Sequence, residues 1–306
     1  MVPDSIAYIL SSAAGSPTSD WAAKVEWLEA QGALRSEDAA AKAVSLPDDG
    51  GALARLTWLR GRGYPVDGDA VLAAARSGNT TVLQYLLAEV PADDAGPEAA
   101  FHAAGGGHLA SLQALHTAGW LLHQYSNESA ILAARGGHLH VLAWLLEAQL
   151  SELNSVAFKA AAGSGSVEVL AWLRQRGCPW DSHAYSEAVK AGCEAALEWL
   201  VEQGCPMEDS GQPYIDAWRS GDLAMARCLR RLGVPWGPDG KVFFFAAATA
   251  QFAISPLPLL RWMLEHGCPV DRKLAAKRMK EWRRGMPQRA RQVLEQLGEL
   301  VARRQP

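Results

Sequence analysis

The chain has 306 residues, 49% of them hydrophobic and 20% charged, with a formal net charge of −4. No apolar run approaches the roughly 20 residues that a membrane helix needs, and five cysteines without a CxxC pair argue against a disulfide framework and for a reducing, intracellular, cytoplasmic setting. The charge is uneven: residues 272–306 carry 11 Lys+Arg against 3 Asp+Glu, a net of +8, while the preceding 271 carry 18 against 30, a net of −12.

Residues 1–19 contain Asp4 and no Lys or Arg, so neither the basic start of a secretory signal nor the arginines of a transit peptide is expected, and Ile6 to Leu10 should pack as an N-terminal cap. Trp21 to Gly32 predicts a first outer helix and residues 36–46 a second helix. Leu46-Pro47-Asp48-Asp49-Gly50-Gly51 predicts an inserted loop before the helix carrying Trp58, of the kind that can contact partners. From Asp69 to Trp236 a helix–turn–helix rhythm is regular. Its clearest unit is Gly165 to Asp181, where Val167, Val169, Leu170, Trp172 and Leu173 give one apolar face, Gly177 stops the helix, and Pro179 blocks its continuation. Asp181 is then placed to cap the next helix.

With the tryptophan of that unit as marker, Trp27, Trp58, Tyr85, Ala114, Trp144, Trp172, Trp199, Cys228 and Trp262 fall in register at spacings of 27 to 34 residues. Five residues after the marker stands glycine in seven of nine units, with Val90 and Gln149 in the other two. Seven before it, in the six middle units, stand Gly78, Gly107, Gly137, Gly165, Gly192 and Gly221. Four earlier again comes Ala74, Ala103, Ala133, Ala161, Ala188 or Ala217. The marker tryptophans Trp58, Trp144, Trp172 and Trp199 are expected in the core. One cysteine slot per repeat (Cys178, Cys205, Cys268) suits a small side chain packed behind each turn.

The run Ala133 to Glu147, with Gly107-His108-Leu109 as an echo, resembles the ankyrin repeat. The wording Trp172-Leu173-Arg174 … Gly177-Cys178-Pro179-Trp180-Asp181 is similar to a divergent, short-period branch in green-algal ankyrin-repeat proteins. The usual threonine-proline-leucine-histidine start is absent, and the period is nearer 29 than 33 residues. The resemblance covers residues 20–271 and implies an all-α helix-turn-helix solenoid of about nine repeats between a cap segment (1–19) and a basic helical C-terminal cap (272–306). It further implies a non-catalytic adaptor or scaffold that binds a protein partner through the concave face and turns.

No catalytic, cofactor or metal constellation is expected. Gly163-Ser164-Gly165 follows no strand and precedes no lysine, so it is neither a nucleophile elbow nor a phosphate loop. His108 and His138 fill the turn slot, where an imidazole can bond backbone groups. His138 and His140 should point to different sides of a helix and make a poor metal pair.

Three features could mark a binding surface. Arg76, Arg135, Lys190 and Arg219 stand two residues before successive turn glycines and form a broken basic ladder. Tyr64, Trp120, Trp180 and Trp236 follow the outer helices and could either pack under the next unit or stand exposed as anchors. The tail carries Lys273, Lys277, Arg278, Lys280, Arg283, Arg284, Arg289 and Arg291 around Trp282, and could meet nucleic acid or an acidic surface. An RNA- or ribonucleoprotein-associated subunit, held by that tail and the ladder, is therefore the alternative to the adaptor.

Overall fold

The computed structural model describes residues 3–91, 96–120, 123–238, 240–249 and 257–271. All regular structure there is helical, and the helices pack in sequence-adjacent pairs. They form two compact units, residues 3–164 with 168–179 and residues 165–167 with 180–271.

In the first unit α1 (Pro3–Ala14) pairs with α2 (Trp21–Ala30), α3 (Glu37–Val44) with α4 (Asp49–Gly61), and α5 (Gly68–Ser77) with α6 (Thr80–Glu89). Next, α7 (Gly96–Gly105) pairs with α8 (Leu109–Thr117) and α9 (Ser126–Arg135) with α10 (Leu139–Glu147). The unit closes with α11 (Ser155–Ser164) and most of α12 (Val167–Gln175). First helices stack on first helices, α1 on α3 and so on to α9 on α11, and second helices likewise, α4 on α6 and α6 on α8. The expected N-terminal cap is thus the first helix of layer one: α1 packs on both α2 and α3.

The second unit repeats the plan with α13 (His183–Lys190) and α14 (Glu194–Glu202), α15 (Gln212–Arg219) and α16 (Leu223–Arg231), and α17 (Lys241–Thr249) and α18 (Leu257–Glu265). Here α15 stacks on both α13 and α17, and α14 on α16.

Most of the helix ends that carry the two repeat glycines close with a six-residue terminator. At the end of α12 the Gly177 N–H donates to the Arg174 carbonyl (3.0 Å) and the Cys178 N–H to the Leu173 carbonyl (3.0 Å). Gly177 sits at φ +75°, in the left-handed region that a Cβ makes costly. At the end of α9 the same pattern runs from Gly137 to Ala134 and from His138 to Ala133. Gln149 takes the Gly177 position in its own layer at φ +56°, the one non-glycine residue with positive φ among those described. Val90 does not: its φ is −95° and it makes a single bond, to Leu86.

These turns explain the periodic alanines. Ala74, Ala103, Ala133, Ala161, Ala188 and Ala217 are all fully buried, at the point where a turn closes beside a stacked helix and a larger side chain would force the layers apart. The residue after the turn glycine then reaches back to the preceding layer. Asn79 Nδ2 donates to the carbonyls of Val44 (2.7 Å) and Leu46 (2.6 Å), His108 Nε2 to Arg76 (3.1 Å), and His138 Nε2 to Gly105 (2.9 Å). Cys193 Sγ does the same toward Gly165 (3.3 Å).

Two expectations are corrected. The marker tryptophans are not core: Trp58, Trp144, Trp172 and Trp199 are half-buried, and Trp27 is 63% exposed. The core positions are the marker's neighbours, such as Leu56 and Leu59, Leu142 and Leu145, and Leu170 and Leu173, all fully buried. The indole lies at the edge of that stripe, where Arg62 covers Trp58 (4.7 Å) and Arg176 covers Trp172 (3.8 Å) from one turn further on. Nor is Asp48 to Gly51 a loop. Asp48 caps α4 by accepting from the Gly51 N–H (3.0 Å), and Asp49 accepts from the Thr81 and Val82 N–H groups at the start of α6 (3.0 and 3.2 Å). Burial pushes the Asp49 carboxyl up, but those bonds outweigh it and hold the group below its ordinary value.

Candidate interaction surface

The turn aromatics divide by position. Tyr64 and Trp120 occupy the slot of Cys178, one residue past the turn, and are buried like it. The slot's N–H donates into the helix end, which turns its side chain inward; the Cys178 thiol there is pushed up to about 11 by burial. Trp236 lies two residues later and is also buried. Its ring stacks on Tyr214 at 3.9 Å, and its Nε1 donates to the His266 carbonyl (3.1 Å). Trp120 and Trp236 are therefore packing residues and not exposed anchors. Trp180 is half-buried, edge-on to Trp199 at 6.4 Å.

The ladder cations Arg76, Arg135, Lys190 and Arg219 are all exposed, two on each unit. Three of them are engaged locally. Arg76 donates to His102 Nε2 (2.8 Å). Lys190 pairs with Glu187 (2.7 Å), which holds its ammonium above the ordinary value. Arg219 lies 3.6 Å from buried Asp216 and over the Phe245 ring. A carboxylate three residues back thus neutralises each ladder cation of the second unit, which weakens an anion-binding stripe there. Arg283, Arg284 and the rest of the basic tail lie outside the described residues.

His138 and His140 do not diverge as expected. Their ring centroids are 6.1 Å apart, and each ring bonds a carbonyl of the preceding layer, His140 that of Gly107 (2.9 Å). Among the described residues no group of three His, Cys, Asp or Glu is placed to hold a metal, and no helix is long and apolar enough to cross a membrane.

The second unit carries a groove that the repeat pattern does not announce. About 240 Å³ in volume, it runs between the start of α13 and the connection before α15. Ser182, His183 and Ser186 form one wall, Met207, Glu208 and Ser210 the other, with Gln212 and Pro213 at the end. Asp181 Oδ1 accepts from the His183 N–H (3.0 Å) and lies 3.2 Å from its Nδ1, fixing the ring at the rim. Ser182 Oγ donates to Glu208 across the groove (3.3 Å), and Tyr185 OH anchors the floor by donating to the Cys205 carbonyl (3.0 Å). Met207 is 37% exposed. Gly211, at φ +68°, lets the connection turn; a Cβ there would collide with the Trp236 carbonyl. The only sequence signal was length: residues 203–211 form a longer connection than the Gly-Cys-Pro-Trp-Asp turn before it.

The arrangement offers an apolar thioether, three serine hydroxyls, an amide, an imidazole and a carboxylate on a fixed backbone. No protein-family model matches the chain, and no curated protein matches it.

Proposed function

We propose that this chain is an ankyrin-like repeat protein that acts as a protein-interaction module, an adaptor or scaffold. The observation that supports this reading is the division of labour within a layer. The turn glycines, the following polar slot, the periodic alanines and the core leucines are spent on stacking. The positions between layers are left to vary, and in the second unit they line one groove with side chains of unlike chemistry. Such a surface binds by complementarity and needs no reacting group. The sequence resemblance to the ankyrin repeat points the same way.

The experiment is affinity capture from native lysate, with and without nuclease, using the whole chain and a chain ending at Asp271. Protein partners that survive both treatments are expected. Loss of everything with nuclease, or with the tail, would replace this reading with nucleic-acid association.

A further inference from the structure

In the first unit a marker residue packs against the layer before it. Trp58 meets Trp21 edge-on at 5.0 Å, and Trp144 meets His116 at 5.7 Å. Trp27 holds the same position in layer one, where among the described residues no second helix of an earlier layer stacks on α2, and it is 63% exposed. Beside it, Ile9 and Ala13 of α1 and Ala23, Lys24 and Leu28 of α2 line a groove of about 380 Å³, walled almost wholly by carbon. Ile9 is 45% exposed. The face has the form of a stacking surface without its neighbour: a knob, Trp27, beside a hole between two helices.

We infer that this face joins two copies of the chain about a two-fold axis, with Trp27 of each copy seated in the α1–α2 groove of the other. Two observations select a second copy. Knob and hole lie side by side on one face, which is the condition for an interface in which each residue meets the partner of its own partner. The rim carries both signs, Lys24 beside Asp20 (2.9 Å), so two copies meet without net local repulsion. Helix-on-helix stacking is also the one kind of interface the chain already builds, at every junction within the unit. The inference does not depend on the groove of the second unit.

Sedimentation velocity of the full chain, from about 1 to 100 µM, reads the outcome directly. A species of twice the 32.9 kDa chain mass is expected to grow with concentration. Trp27→Glu and Ala23→Glu, both at exposed positions, should weaken it roughly 30-fold or more with unchanged circular dichroism, as loss of an interface anchor does. Trp27→Phe should retain it, as should Leu223→Glu on an exposed apolar side chain of the second unit. A monomer throughout the range, or a dimer indifferent to Trp27→Glu and Ala23→Glu, would overturn the inference; in the second case another segment or another partner covers the face.

Discussion

Two junctions between layers, one in each unit, are tied by different chemistry. Between layers one and two of the first unit the tie is ionic: Glu29, only 11% exposed, accepts from the Arg62 guanidinium, from Arg35 Nε (3.0 Å) and from the Tyr64 hydroxyl (3.0 Å). Between the last two layers of the second unit the tie is neutral: the Trp236 indole donates to the His266 carbonyl (3.1 Å) and meets Trp262 edge-on at 5.9 Å. The backbone terminators are the same in both, so the repeat fixes the turns and leaves the adhesive free to differ. The neutral junction should resist salt and acid, and the ionic one should not.

The largest effect is expected at the neutral end. Trp236→Ala removes a buried indole, its stack and a hydrogen bond, and should cost about 3–5 kcal/mol in urea unfolding, little changed by added salt. Gly107→Ala and Gly192→Ala compare one turn position across the units. A Cβ at Gly107 meets the His138 ring, whereas at Gly192 nothing lies within 4 Å. Both bear left-handed strain of about 1–2 kcal/mol, and the Gly107 variant should lose a further kcal/mol or so.

Acid should separate the junctions next. Burial raises the Glu29 carboxyl, but the bonds from Arg62, Arg35 and Tyr64 outweigh it and hold the group below its ordinary 4.5. A depressed folded pKa contributes stability that is present above about pH 4.5 and is lost as pH falls through the folded value. Urea titrations from pH 7 down to about pH 3.5 should therefore fall more steeply for the native chain than for Glu29→Gln, which starts about 1 kcal/mol lower. Parallel curves would show that the charge is not what holds this junction. The smallest effect is a gain: Gln149→Gly relieves the one positive-φ non-glycine turn among the described residues and should add up to about 1 kcal/mol.

Much of this architecture is legible in the sequence because it depends on backbone conformation, which few residues can satisfy. The turn glycines and Asp181 each announce a dihedral angle or a cap, and the structure places them so. Side-chain fate is less legible. Trp172 and Leu173 are adjacent and both apolar, and only the register between neighbouring helices decides that Leu173 is fully buried and Trp172 half-buried. Trp180 and Trp236 stand at the same position past their turns, yet Trp236 is buried against Tyr214 and Trp180 is only half-buried. Asp48 and Asp49 suggest a loop by composition, but their carboxylates start two helices. The groove is the least legible feature, because His183, Met207 and Gln212 belong to different turns and share no motif.

The most direct test of the adaptor reading is hydrogen exchange on the chain with and without a captured protein partner. The account predicts slowed exchange in residues 181–186 and 206–213, on both walls of the groove. Slowed exchange confined to other segments, with those two unchanged, would contradict it.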